Sequence, residues 1–330
     1  MGARGPGSAY GSGPGGGVLM ALDASTGRLL WKFNTVIGAG AGVQALGVGS
    51  GGAWEPPLVG SDGSVTFGTG NPYQTIGEAI AHPSRQLYTD SAVNLDAATG
   101  KLRWYYQAVP DDFADHDLQA SPISAVIGGV PLIITGGKVG IVYALNARTG
   151  ALLWKAPVGE HNGHDDDSLL ALSHQLTIKY PYTVAPGSLG GMLSNMAVAD
   201  GSVYVDTIDL PITYTGSGVA DGDKAGGPEG GEIEALSLAT GQVEWDTKVD
   251  TLPLGAATVS NDLIITTLYT GTLIALNRDT GAIVYRHQLP SSTNAPIAVF
   301  GNTVLVPAGG PKTSASGGGG NPQLMAYTVP

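Results

Sequence analysis

The chain has 330 residues, a formal net charge of −12 and no cysteine. The acidic balance argues against nucleic acid or an anionic membrane as a partner, and the absent thiols exclude disulfides, thiol catalysis and thiolate metal sites. The 52 glycines and the 13% of charged residues suit many turns and buried sheets, and no apolar run reaches the length of a membrane-spanning helix.

In chain order, residues 1–17 (MGARGPGSAYGSGPGGG) lack the apolar run of a signal peptide and read as a flexible Gly-rich segment. Residues 18–330 are expected to form a single all-β domain. It opens with ALDASTGRLLW at 21–31, and this pattern returns as NLDAATGKLRW at 94–104, ALNARTGALLW at 144–154, ALSLATGQVEW at 235–245 and ALNRDTGAIVY at 275–285. Every copy has Thr-Gly at its centre and an aromatic residue at its end. The glycine supplies the positive φ of a tight turn and the flanks alternate apolar with polar, so each copy predicts a β-hairpin. The copies start at 21, 94, 144, 235 and 275, giving spacings of 73, 50, 91 and 40 residues. The shortest spacing is close to the roughly 40–50 residues of one four-stranded propeller blade, and the longer ones read as a blade plus an insertion. One hairpin has no means of burying Trp31, Trp104, Trp154, Trp245 or Tyr285, whereas stacked blades cover each aromatic with the neighbouring blade. Trp54 is the one tryptophan outside this slot.

The remaining strands follow from the same alternation. Leu58–Val59, Ser64–Phe67 and the hairpin at 88–106 make a first complete blade, with a short helix near Ile76–Ile80. A second uses 121–127, 131–135, 140–145 and 151–155, followed by an insertion at 157–189 with a short helix at 168–175. A third uses 190–199, 202–207, 232–237 and 242–247, interrupted by an acidic, Gly-rich insertion at 211–231. A fourth uses 255–260, 262–268, 272–277 and 282–288, and 294–299, 302–307 and 323–328 begin another. The hairpin at 18–33 has no evident partner before it. The expected β-propeller therefore has four complete blades of four antiparallel strands and two partial ones, about six in total.

These segments resemble the quinoprotein propellers, the pyrroloquinoline-quinone-dependent alcohol dehydrogenases and their relatives. The repeat looks like that family's tryptophan docking motif. GGAWEPPLVGSDGSVTFGTGNP at 51–72 resembles the stretch joining its cofactor-stacking tryptophan to a metal-binding asparagine, and LYTDSAVNLDAATGKLRWYYQAVPDDFADHDLQASPI at 87–123 resembles the next blade and its crossing. The family ring usually has eight blades, so the resemblance implies about two blades upstream of this sequence, with an export signal before them and a periplasmic or extracellular location. It further implies Trp54 beneath the quinone ring, Asn71 of GTGNP as an oxygen ligand to calcium, and Lys138 of GGKVG pointing at the quinone carbonyl. Asn195, in GGMLSNMA, is a further candidate to face the pocket.

Plainer readings stand beside these: a core tryptophan, a turn asparagine before proline and an exposed hairpin lysine. The sequence also departs from the family pattern. Its calcium-binding carboxylate should fall near Ser8–Tyr10, where this chain has Ala9, and its catalytic base near Ser84–Gln86, where no acid stands. Asp90 is the candidate substitute base, although local capping is its ordinary role. The clusters DDFADHDLQ at 111–119 and HNGHDDD at 161–167 read as solvated loops, and neither has the spacing of a zinc protease. The functional readings are thus an exported quinoprotein-type dehydrogenase binding pyrroloquinoline quinone and calcium and acting on a small-molecule alcohol, or a propeller without catalysis that binds a protein partner. A lyase or glycosidase would need paired axial carboxylates, and the sequence offers no evident pair.

Overall fold

A computed structural model describes residues 2–3, 17–36, 51–216, 219–221, 230–309 and 322–328. All five repeat copies fold as antiparallel hairpins whose register shifts by a bulge at the same place, between Ala21 and Leu22 in the first and Ala275 and Leu276 in the last. The third residue of the repeat explains the turn. Asp23, Asp96, Asn146 and Asn277 each accept the backbone N–H of the repeat's threonine through a side-chain oxygen. That closes an Asx turn, and the glycine that follows adopts φ near +70° in each copy.

Four sheets have four strands. Blade I is Leu58–Val59, Ser64–Gly68, Ser91–Asp96 and Leu102–Gln107; blade II is Ile123–Ile127, Val130–Thr135, Ile141–Asn146 and Leu152–Pro157. Blade III is Ala197–Ala199, Ser202–Ile208, Gly231–Ser237 and Val243–Val249; blade IV is Thr258–Ser260, Leu263–Leu268, Thr272–Asn277 and Ile283–Gln288. Three-stranded sheets flank them: Val18–Leu22 and Leu29–Asn34 at one end, and Ala298–Phe300, Thr303–Ala308 and Gln323–Thr328 at the other. The first of these has a third strand, Gly2–Ala3, paired with Val18 and Leu19. The expectation of an unpartnered first hairpin is corrected by that pairing, and the expectation of flexibility falls otherwise on residues outside the described set.

Neighbouring blades share hydrophobic clusters, one between blades I and II around Leu118, Ile133 and Leu145, another between II and III around Ile134, Val205 and Leu236. The repeat aromatics fix these joints. The indole of Trp31 lies over Gly100, Trp104 over Gly150, Trp154 over Gly241 and Trp245 over Gly281, so close that a Cβ on any of these glycines would come within 2.7 Å of the ring. Each indole N–H donates to a carbonyl of the covered hairpin, those of Ala97, Ala147, Leu238 and Arg278. Tyr285 has no such cover among the described residues and is half exposed.

The insertions hold more structure than their composition suggests. Helix α1 is Ile76–Ala81, started by a capping box in which Thr75 and Glu78 bind each other's backbone N–H, and helix α2 is Asp167–Leu172. Tyr182–Val184, Ile212–Gly216 and Val219–Asp221 form a separate three-stranded sheet that joins the 157–189 and 211–231 insertions. Its Tyr182, Val184 and Ile212 pack on Ile76, Phe113 and Ala114. In an antiparallel blade the loops between second and third strands and the crossings to the next blade leave at the same end, opposite the Thr-Gly turns. The insertions gather there.

Trp104→Ala should lower the unfolding free energy by ~3–5 kcal/mol in urea titration, and Tyr285→Ala by under about 1 kcal/mol. Equal losses would contradict the indole-on-glycine joint.

Candidate functional site

The site end of the joint between blades I and II collects the chemistry. Gly51–Ala53 runs beside Gly70 and Asn71, with Gly51 N–H donating to Asn71 O at 3.0 Å and Gly70 N–H to Gly52 O at 2.8 Å. This brings the half-buried Trp54 ring against Gly70. A side chain at Gly70 would sit 2.7 Å from both the indole and Asp117 Oδ1, so only glycine admits this approach. Asn71 N–H donates to Asp117 Oδ1 at 2.8 Å, and the buried Asn71 Oδ1 has no hydrogen-bond partner.

Lys138 sits in the turn Gly137–Gly140, between the second and third strands of blade II. Its ammonium lies 2.7 Å from Asp115 Oδ2 and 2.6 Å from Asp117 Oδ2, and its own N–H donates to Asp117 O. Burial alone would pull the lysine pKa down, but the charges of Asp117 and Asp115 outweigh it and the net shift is upward. One ammonium compensates two carboxylates. Asp117 is almost wholly buried, and burial pushes its carboxyl up while Lys138 opposes the shift. Asp115 keeps 33% of its side chain exposed. Burial, then the charge of Asp117, raise its pKa to about 7 against the pull of Lys138.

Asp90 stands differently from the role expected of it. It occupies the left-handed region at φ +47°, is fully buried, and has no partner of normal geometry on either carboxylate oxygen. Burial, then Asp112, Asp117 and Asp115, push its pKa well above the usual carboxylate range. Asp90 is thus a buried carboxyl, whereas the role expected of it calls for one that meets substrate. The Ser84–Gln86 stretch also holds no acid: Gln86 Nε2 donates to Gln74 Oε1 at 2.6 Å, and Gln74 Nε2 to Asp111 Oδ1 at 2.7 Å. Ala9 lies outside the described residues.

Asn195 Oδ1 accepts Ser121 N–H at 2.8 Å, and its side chain also bonds Glu55, whose half-buried carboxyl is pushed up by burial. Glu55 was missed although it directly follows Trp54. The 111–119 cluster is not a solvated loop, whereas the 161–167 cluster is partly exposed and buried only at Asp167. Asp111, Asp112, His116, Asp117 and Asp167 are buried. Asp112 accepts the backbone N–H groups of Ala114 and His116, and His116 Nε2 meets Pro186 O. His161 and His164 go separate ways: the first to Asp165, the second to Asp167, which also accepts the Tyr182 hydroxyl. Further along this end, Glu160, Asp209 and Glu232 bring carboxylate oxygens within 4.8 Å of one another, and Lys248 at 2.5 Å from Glu232 already compensates one charge.

Comparison with known proteins agrees with this architecture. Residues 6–164 match the beta-propeller domain of glucose, ethanol and alcohol dehydrogenases, and residues 229–327 match the outer membrane protein assembly factor BamB. A polyvinylalcohol dehydrogenase of Sphingopyxis sp. (strain 113P3) is 28% identical over 260 residues, 70% of this chain and 33% of the relative. BamB of Burkholderia pseudomallei is 26% identical over 86% of this chain and 75% of its own length. The structure of a quinohemoprotein alcohol dehydrogenase from Pseudomonas putida HK5 superposes with a TM-score of 0.72 at 21% identity, covering 92% of this chain and 53% of that one. The chain thus spans a third of the first of these dehydrogenases and about half of the second. It is a β-propeller related in sequence both to the pyrroloquinoline-quinone-dependent dehydrogenases and to BamB.

Proposed function

We propose that this propeller is an exported alcohol-oxidising quinoprotein, with Asp115 as its general base. The observation that carries the reading is the single ammonium of Lys138 bracketed by Asp115 and Asp117, with Gly70 between Asp117 and the half-buried Trp54 ring. The residues fit the group the family uses. Trp54 offers a flat apolar floor backed by Gly70, suited to a planar ring system, and stacking adds about 0.5–1.5 kcal/mol beyond burial. The orphaned Asn71 Oδ1 offers one hard oxygen to a calcium ion. The remaining ligands and charge would come from the cofactor, because Lys138 already holds the nearby carboxylates. When bound, the quinone supplies a two-electron acceptor.

The chain's own part is proton handling and orientation. Oxidising an alcohol requires removal of the hydroxyl proton, and a base works best with a pKa near the working pH. Asp115 meets that condition at about 7, and it is the exposed member of its pair. Lys138 keeps Asp115 in place and keeps a positive charge at the site. Asp117 stays behind, tied to the backbone of Asn71 and Lys138.

A second reading, a protein-binding propeller without catalysis, is favoured by the match of residues 229–327 to BamB. Titration with pyrroloquinoline quinone and calcium separates the two. Quenching of tryptophan fluorescence that disappears in Trp54→Ala supports the first, and no quenching at high micromolar cofactor supports the second.

Dye-linked oxidation of simple alcohols should rise with pH through about 7, as Asp115 loses its proton. Asp115→Asn should lower kcat by about 10²–10⁴-fold while cofactor affinity is retained. Lys138→Met should cost ~3–5 kcal/mol of stability at neutral pH, because the buried Asp117 and the partly exposed Asp115 then lose their shared counter-charge. That cost should shrink on acidification, when the raised carboxyls take up protons, and denaturant titration at neutral and acidic pH measures the difference.

A further inference from the structure

We propose that His161 is a positioning residue, which as a doubly protonated ring clamps the turn Gly137–Gly140, and with it Lys138, to the insertion that follows blade II. The proposal deepens the reading above, since Lys138 matters through its place in that site.

Both ring nitrogens face atoms that accept. Nδ1 lies 2.7 Å from Asp165 Oδ1, and Nε2 lies 3.0 Å from Gly140 O and 3.1 Å from Val158 O. Carbonyl oxygens have no hydrogen to give, and an ionised carboxylate has none either. A neutral imidazole carries one N–H, so it satisfies one side and turns a lone pair toward the other. The imidazolium satisfies both. Its ring is 14% exposed, so water is a poor substitute for either partner.

The carbonyl it holds is structurally placed. Gly140 N–H donates to Gly137 O at 3.0 Å, closing a turn with Lys138 inside it, and Val158 N–H also donates to Gly140 O. Met192 N–H holds Gly137 O from the other side. Gly140 takes φ +67°, and a Cβ there would meet Pro186 Cγ at 2.6 Å and His161 Nε2 at 3.0 Å. Loss of the Nε2 hydrogen therefore frees one of the ties that seat Lys138 between Asp115 and Asp117.

The ionisable groups around His161 come from several elements. Asp165 faces it from its own loop. Tyr143, on the strand Ile141–Asn146, has a hydroxyl that feels Asp165, Asp166 and Asp90. His116 bonds the carbonyl of Pro186, behind Gly140. Glu160 precedes His161 and is tied by its backbone to Asp209, and Lys138 directs its ammonium away, to Asp115 and Asp117. Burial pulls the imidazole pKa down, but the Asp165 hydrogen bond and charge outweigh it and the net shift is above the ordinary 6.5. With the folded value raised, the clamp is complete below 6.5 and is lost as pH rises through the folded pKa.

The test uses the protein without cofactor, so its outcome stands whether or not the quinone reading does. Side-chain ¹⁵N spectra follow the ring, and amide hydrogen-exchange protection factors at Gly140 and Val158 follow the clamped carbonyl, both across neutral pH. The expected result is two N–H groups on His161 in mild acid, loss of one with an apparent pKa above the ordinary histidine value, and a protection loss of about tenfold or more across the same step. His161→Gln should lack the step and show the low protection at every pH. A ring with one N–H throughout, or protection that does not follow its titration in the unmutated protein, overturns the proposal. A clamp that titrates in a protein that binds no quinone would refute the proposed function and leave the clamp standing.

Discussion

An indole laid on a glycine turn holds this protein together. A flat ring needs a flat partner, and a glycine in the left-handed region gives one, because it has no side chain and turns the backbone sharply. The N–H of the same indole is satisfied by a carbonyl of the hairpin it covers. One residue thus supplies area, orientation and a buried hydrogen bond at each joint. The requirement runs both ways: the tryptophan of one blade demands the glycine of the next. Thr-Gly and the terminal aromatic therefore recur together in the sequence.

The site depends on the same joint. Trp54 and Asn71 come from blade I and its approach, Asp115 and Asp117 from the crossing, Lys138 from blade II and Asn195 from the run into blade III. No single blade contains the site. Bringing three charges together beneath a partly covered surface raises the cost of each charge, and the ion group answers that cost with one cation for two acids. The acid that remains partly wet is left titrating near neutrality.

The repeat made the architecture legible. Its periodicity of turn and aromatic placed all four complete blades and both partial ones, most strands within a few residues, although the first strand of blade III, expected over 190–199, is only Ala197–Ala199. Both short helices, expected near Ile76–Ile80 and at 168–175, stand at Ile76–Ala81 and Asp167–Leu172. The sheet that unites Tyr182–Val184 with Ile212–Gly216 was not, because its strands are short and some thirty residues apart, and no turn signal links them. Trp54, Asn71, Asn195 and Lys138 became candidates through context. Asp115 and Asp117 were passed over because acids in a run of acids look solvated, and Glu55 because a lone acid between Trp54 and Pro56 carries no pattern. What the run did not reveal is that Lys138, some twenty residues later, draws two of those acids inward. The burial of Asp90 was not legible either, since a carboxylate within a strand-like run gives no sign that it is sealed from water.

The contact between Trp104 and Gly150 has a consequence for how such a chain tolerates change. It sits on the hairpin side of the sheets, away from Trp54 and Lys138, yet it sets the angle between the two blades that supply them. A substitution there would tilt one half of the binding surface against the other without touching any reacting group. Drift in the outer hairpins therefore acts as a tuning screw on the pocket, and two chains with identical pocket residues can differ in what they bind.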